Sequence, residues 1–432
     1  MKILIKNGNV VDPANKIDLE MDILIEDGGI AEIGRNIKAP GAEIIDAKGK
    51  IVAPGLIDMH SHLREPGRED EETLLTASKA AVKGGFTSVC AMPNTTPPCD
   101  NQGVVGFIMS EGRRIGLCNI YVIGTITKGR KGEELSEMGE LKTAGVVALS
   151  DDGSSVDNSE IMRRALEYAG MFNLPIIAHC EDKLLSKDGV MNEGFISTVL
   201  GLRGIPSISE STRVARELEL CAMTGGRLHV AHVSTRRSVE LIRDAKKRKI
   251  NVTCETCPHY FTLTDEEVKQ SGFDTNTKMN PPLRTEEDSE AIREAIKDGT
   301  IDCIATDHAP HTEDEKDTDF DSAPFGIIGL ETALSLAVME LVDKKILSWS
   351  ALIEKMSLNP ARILGLNKGT LSADSPADIV IIDPAKTWQV KKETIESKSK
   401  NTPFLGKTLK GVVVATITGG NVVYNKSGDS SH

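Results

Sequence analysis

His60 and His62 stand two residues apart, at the end of the apolar lead Ile51-Val52-Ala53-Pro54-Gly55-Leu56-Ile57. A strand turns successive side chains to opposite faces, so two imidazoles spaced this way point together and can share one metal ion. An isolated His-x-His is more often a chance surface pair than a chelate, and the reading therefore depends on what else along the chain could join it. Asp151 and Asp152 follow Val146-Val147-Ala148-Leu149-Ser150, His179 follows Pro175-Ile176-Ile177-Ala178, and Asp307 follows Asp302-Cys303-Ile304-Ala305-Thr306. His232 ends another such run. Imidazole nitrogens and carboxylate oxygens are the donors of catalytic zinc sites. Taken singly, His179 reads as a hydrogen-bonded core histidine and Asp307 as a cap; taken together, these ends point to one metal site.

The elements that must position them repeat a unit, a short apolar strand ending in a polar residue and then a helical stretch. Strand ends fall near His60, Met92, Gly124, Ser150, His179, His232, Glu255 and Thr306, with helical patterns between them such as 158–169 and 287–297. Eight such units match a closed parallel (β/α)8 barrel, whose active sites lie at the C-terminal ends of the strands. Parity places His229, three residues before His232, on the opposite face as a structural residue, while His259 and His308 come near the mouth without a chemical argument for ligation. Before the barrel, Ile3-Leu4-Ile5, Gly8-Asn9-Val10-Val11, Asp22-Ile23-Leu24-Ile25 and Glu43-Ile44-Ile45-Asp46 alternate with turn signals. The far end has the same grammar in 377–383 and 411–424. The two ends are expected to form one discontinuous β domain.

Composition narrows the class. A chain of 432 residues suits a barrel with a small second domain, and 39% hydrophobic with 27% charged residues excludes global disorder. A net charge of −13 argues against nucleic acid or an anionic membrane as partner, since either needs a basic patch. The first residues lack a signal-peptide core and no run of about 18 apolar residues occurs, so the chain reads as cytoplasmic. Eight scattered cysteines do not form a disulfide framework. Cys254-Glu255-Thr256-Cys257 reads as strand, and without a second pair it completes no zinc site.

These motifs resemble the amidohydrolase superfamily. Pro54-Gly55-Leu56-Ile57-Asp58-Met59-His60-Ser61-His62 and Ser375-Pro376-Ala377-Asp378-Ile379-Val380 carry that likeness. Within it the chain resembles bacterial type I dihydroorotases through His60-Ser61-His62-Leu63-Arg64, Met92-Pro93-Asn94-Thr95, Ser150-Asp151-Asp152-Gly153, Glu255-Thr256-Cys257-Pro258-His259-Tyr260, Asn280-Pro281-Pro282-Leu283-Arg284 and Thr306-Asp307-His308-Ala309-Pro310-His311. The resemblance covers essentially the whole chain. It implies a TIM-like barrel over 54–369 and a small β-sandwich from 1–53 plus 370–432.

By the same resemblance one Zn2+ is held by His60, His62, Asp152 and Asp307 and a second by His179 and His232, with Asp152 bridging, so one or two ions bind per subunit. The sequence alone leaves Asp151 and Asp152 equivalent; the family favours the second. The implied reaction is the reversible interconversion of (S)-dihydroorotate and N-carbamoyl-L-aspartate in pyrimidine (UMP) biosynthesis, with Asp307 as the catalytic proton shuttle. Implied substrate contacts are His62, Arg64, Asn94, Asn280, His311, Phe325 and Gly326. Arg64, two residues past His62, shares its face if the strand persists, and a guanidinium matches a carboxylate in two-pronged fashion. The acidic run 312–321 reads as a solvated loop, with a mobile lid as the alternative. The resemblance also admits a homodimer and association with aspartate transcarbamoylase.

Two rival functions follow. A hydantoinase, dihydropyrimidinase or allantoinase would share fold and metals but act on a ring lacking this carboxylate. Arg64 argues against it, as does the absence of a lysine from the fourth strand, where Lys142 comes too early. A non-catalytic amidohydrolase-like scaffold would have lost ligands that are all present here.

Overall fold

A computed structural model describes residues 2–426. Its centre is an eight-stranded parallel sheet in chain order: Leu56–Ser61, Phe86–Ala91, Asn119–Gly124, Ala148–Ser150, Ile176–Ala178, Leu228–Val230, Val252–Thr256 and Cys303–Ile304. The first and eighth strands meet through a bridge between Ser61 and His308, supported by the His62 amide donating to the His308 carbonyl at 2.8 Å. The sheet thus closes nearly into a barrel. Strands four to six have three residues each, so the chain leaves the sheet just before Asp151, His179 and Ala231. Helices Ser159–Gly170 and Glu286–Asp298 cover the expected periodic stretches. Asn158 caps the first by accepting from the amides of Glu160 and Ile161, and Thr285 with Asp288 forms a capping box on the second, each satisfying amides that lack an intrahelical partner.

Strand alternation sorts the core. Met59, Cys90, Ile123, Ala148, Ile177, Ala231, Cys303 and Ala305 fill the barrel interior, while neighbours such as Val89, Val122, Leu149, Ile176 and Val230 pack outward among the helices. The terminal segments pair into a second eight-stranded sheet. Its joint is Ile51–Pro54, which runs parallel to Lys2–Asp12 and antiparallel to Ile379–Gln389. Ile379 and Ile381 join the terminal core, and Val380 and Ile382 join the helix-facing core of the barrel. Both faces of that strand are buried, which explains the unbroken apolar run.

Part of the C-terminal end does something the sequence did not foreshadow. Val390, Ile395 and Phe404 pack on Leu263, Met279, Ile327 and Ile328, and Asn401 donates to the carbonyls of Ala309 and Gly326 at 3.0 and 3.1 Å. This arm lies against the eighth-strand side of the mouth. Among the described residues no helix is long and apolar enough to cross a membrane.

Candidate metal centre

His60, fully buried on the first strand, presents Nδ1 to Glu255 Oε1 at 2.6 Å. His62, just past the strand, presents Nδ1 to Asn94 Oδ1 at 2.8 Å. An acceptor behind each ring fixes the tautomer and turns Nε2 toward the barrel axis. There His62 Nε2 is 3.1 Å and His60 Nε2 3.5 Å from Asp307 Oδ1. Asp307 has φ +47, so the chain breaks its extended course just where its carboxylate must turn in.

The two adjacent aspartates separate cleanly. Asp151 is consumed by structure, accepting from the amides of Ile126 and Thr127 at 2.9 and 3.1 Å and from the Thr127 hydroxyl. Asp152 faces the histidines: Oδ1 is 3.4 Å from His60 Nε2 and 3.5 Å from both His179 Nδ1 and His232 Nε2, and Oδ2 is 3.4 Å from His62 Nε2. It is the central carboxylate. His179 Nδ1 and His232 Nε2 approach each other to 2.8 Å, and His179 Nε2 meets Glu181 Oε2 at 3.0 Å.

The parity expectation for His229 is corrected. The sixth strand ends at Val230 and His232 has φ +35, so alternation does not carry through to His232. His229 lies between outward-packed Leu228 and Val230, points into the barrel and sits 3.3 Å from Glu255 Oε2. Arg64 likewise departs from strand parity: the first strand ends at Ser61 and Arg64 has φ +63.

Electrostatics say what would fit between these side chains. His60 Nε2 and Asp152 Oδ1 are buried without a hydrogen-bond partner. Burial pulls against a proton on His60, yet the charges of Asp152, Asp307 and Glu255 outweigh it and hold the imidazole well above its usual range. For Asp152, burial opposes ionisation, but His60, His179 and His232 hold it well below the usual carboxylate range. Burial also opposes the proton of His179, and Asp152 and Glu181 still raise it to about 9. Without a cation, protons must offset these acids. The donor set of imidazole and carboxylate, with unpaired buried atoms facing one point, fits a divalent metal.

Beside this centre lie Arg64 and His311, with Glu71 between them. Arg64 is nearly buried, with Nε 2.8 Å from Glu71 Oε2 and 3.1 Å from the Pro310 carbonyl and Nη2 3.4 Å from His311 Nε2, so it is no surface residue. His311 Nε2 also faces the Phe325 carbonyl at 2.9 Å. Gly326 has φ +130, and a Cβ there would lie 2.7 Å from Ala309 Cβ, so only glycine fits. Asn280 donates to Glu181 at 3.2 Å, and with Phe325 and Lys278 the pair lines a cavity of about 710 Å³ opening on the His179 side. The structure therefore brings His60, His62, Asp152, His179, His232 and Asp307 together, with Asn94 behind His62, Arg64 and His311 adjoining, and Asn280 and Phe325 at the cavity.

The acidic run is not merely solvated. It contains the helix Glu313–Lys316, and buried Lys316 donates to the carbonyls of Thr275, Pro324 and Lys278 at 3.1, 2.7 and 3.4 Å. Sequence reasoning missed Glu71, Glu181 and Glu255; for Glu255 the available signal was its place at the seventh strand end. His308 is structural, bonded to Glu72 at 3.2 Å and to the Gly329 amide at 3.1 Å. Cys254 lies in a strand and Cys257 beyond it, both buried and unbridged.

A profile of the Dihydro-orotase-like family matches residues 49–238, and one of the Amidohydrolase family matches 222–424. Dihydroorotase of Pelotomaculum thermopropionicum is 57% identical over 98% of both chains. Dihydroorotase of Geobacter metallireducens is 55% identical over 99% of this chain and 100% of its own. Among solved structures, L-hydantoinase (dihydropyrimidinase) from Arthrobacter aurescens superimposes with a TM-score of 0.87 over 98% of this chain and 96% of its own, at 27% identity.

Proposed function

The chain belongs to the dihydroorotase family of cyclic amide hydrolases, and on that premise we propose that it opens (S)-dihydroorotate to N-carbamoyl-L-aspartate, reversibly, at a zinc centre built from His60, His62, Asp152, His179, His232 and Asp307. The observation that carries the reading is the convergence of four histidines and two aspartates around unpaired, buried His60 Nε2 and Asp152 Oδ1, with the mostly buried Arg64 alongside. Zinc held there supplies Lewis acidity toward the ring carbonyl and lowers the pKa of water from about 15.7 to about 7.

The chain's own groups do the rest. Asp307, held against His62 Nε2, accepts the proton of the attacking water and returns it to the departing ring nitrogen, general acid–base work of about 10²–10⁴-fold. Burial resists its ionisation, but His60 and His62 hold its pKa below the ordinary carboxylate value in the metal-free site. Arg64 takes the ring carboxylate; Asn94, Asn280, His311 and the backbone of Phe325 and Gly326 complete the contacts. In the cyclising direction Asp307 gives and takes its proton in reverse order.

The likeness to hydantoinase structures favours one second reading, a cyclic amidase for rings without the carboxylate. Against it stand Arg64, mostly buried beside the centre, and a proposed centre that uses Asp152, while Lys142 lies exposed on a helix. Rates of the zinc-loaded protein on dihydroorotate, hydantoin, dihydrouracil and allantoin separate the two. Dihydroorotate is expected to be fastest; a preference for hydantoin or dihydrouracil would overturn the proposal.

A further inference from the structure

We infer that Glu255 and His229 form a positioning dyad behind His60, which sets the affinity of the centre for its metal without touching metal or substrate. This rests on the reading of His60 as a ligand.

The geometry is specific. Each carboxylate oxygen of Glu255 faces an imidazole: Oε1 meets His60 Nδ1 at 2.6 Å, and Oε2 lies 3.3 Å from His229 Nε2, in ion-pair range but without a formed hydrogen bond; all three residues are fully buried. Strand register builds it. His229 on the sixth strand lies opposite Thr253 on the seventh, and Thr253 and Glu255, two residues apart, point the same way. The Thr253 hydroxyl is 2.8 Å from His229 Nδ1. A hydroxyl donating there leaves His229 Nε2 to carry its proton toward Glu255.

A fold has no need of a buried carboxylate at this depth, since apolar residues of similar volume usually fill such a space at no loss of stability. Its place is explained by what it holds. A carboxylate on His60 Nδ1 fixes the ring plane, dictates the tautomer with Nε2 free, and makes the imidazole a stronger donor. His229, packed 3.3 Å from the second oxygen, fills the space into which Glu255 would otherwise turn away from His60. His62 is held by the amide oxygen of Asn94 instead, a weaker acceptor, so the dyad gives His60 the firmer hold of the two.

The test measures zinc affinity by chelator competition and the visible spectrum of the cobalt-loaded protein, for Glu255→Gln, His229→Gln and the double variant. Glu255→Gln is expected to weaken the tighter zinc by about 10- to 100-fold and to shift the cobalt bands. His229→Gln is expected to weaken it by about threefold to tenfold, with no further loss when combined with Glu255→Gln, because it acts through that carboxylate. Wild-type zinc affinity in either single variant, or losses that simply multiply in the double variant, would overturn the dyad. If Glu255→Gln does not fold, His229→Gln decides alone, and unchanged affinity rejects the inference. His60→Ala is run in parallel. Retained zinc there removes His60 as a ligand and with it the reading beneath, whereas lost zinc there with normal affinity in the dyad variants rejects only the dyad.

Discussion

The two halves of the proposed metal centre are held differently. On the axis side, His60 and His62 each have an acceptor behind the ring, and their ligand atoms lie within 4.8 Å of an Asp307 oxygen. On the cavity side, His179 and His232 touch each other at 2.8 Å, and His179 is backed by Glu181, a half-buried residue that lines the open cavity. Preorganisation lowers the cost of binding. For the proposed centre this predicts that the axis side, whose rings are each fixed from behind, binds an ion more tightly than the cavity side.

The largest effects expected test that asymmetry directly. His60→Ala should release the tighter zinc and lower turnover beyond the roughly 10²–10⁴-fold of a lost proton transfer, whereas His179→Ala should still retain about one equivalent. Metal analysis after dialysis reads both, and stepwise chelation of the unmutated protein should remove the cavity-side ion first. Equal retention in the two variants would erase the distinction between the halves.

Asp307→Asn comes next. It keeps an oxygen near His62 but cannot shuttle a proton, so kcat should fall about 10²–10⁴-fold while most of the zinc stays. Turnover near that of the unmutated enzyme would leave Asp307 at most a ligand. Arg64→Met should cost less, because a hydrogen bond to a charged group is worth roughly 1.5–3 kcal/mol, or about 10- to 150-fold in kcat/KM for dihydroorotate and N-carbamoyl-L-aspartate. The loss should leave zinc content unchanged on both sides of the centre. A dihydroorotate rate untouched by this change would take Arg64 out of substrate recognition.

How much of this could be read beforehand divides along the same line. Strand periodicity gave the barrel, since each short apolar run had to be buried on both sides and could end only at a mouth. It failed wherever the chain left strand geometry: at His232, Arg64 and Asp307 positive φ values re-aim the side chains, and no spacing rule foretells them. Asp151 and Asp152 were inseparable in the sequence because their difference is made by the amides of Ile126 and Thr127, contributed by the preceding strand's loop. Glu255 and Glu71 went unnoticed for a related reason. A carboxylate reveals itself as a partner only through the imidazole or guanidinium that folding brings to it, and Glu71 meets His311, far along the chain, at 3.0 Å.

The smallest expected effect concerns the acidic segment beside His311, which Lys316 pins. Burial pushes its ammonium down to about 7, against an ordinary value of 10.5. A lysine whose folded pKa is depressed binds fewer protons folded than unfolded between those two values, so its contribution to stability rises with pH through the window from about 7 to 10.5 and is a full penalty below it. Three carbonyls accept from its Nζ, which limits how far the penalty can grow. Lys316→Met should therefore flatten the pH dependence of unfolding: relative to that variant, the unmutated protein should gain in denaturation midpoint between about pH 7 and about pH 9.5, with cysteine and tyrosine titrations cancelling in the difference. Zinc retention by the axis side should not follow this change, because Lys316 touches none of its residues. An identical pH slope in the two proteins would mean that the three carbonyls hold the ammonium charged throughout.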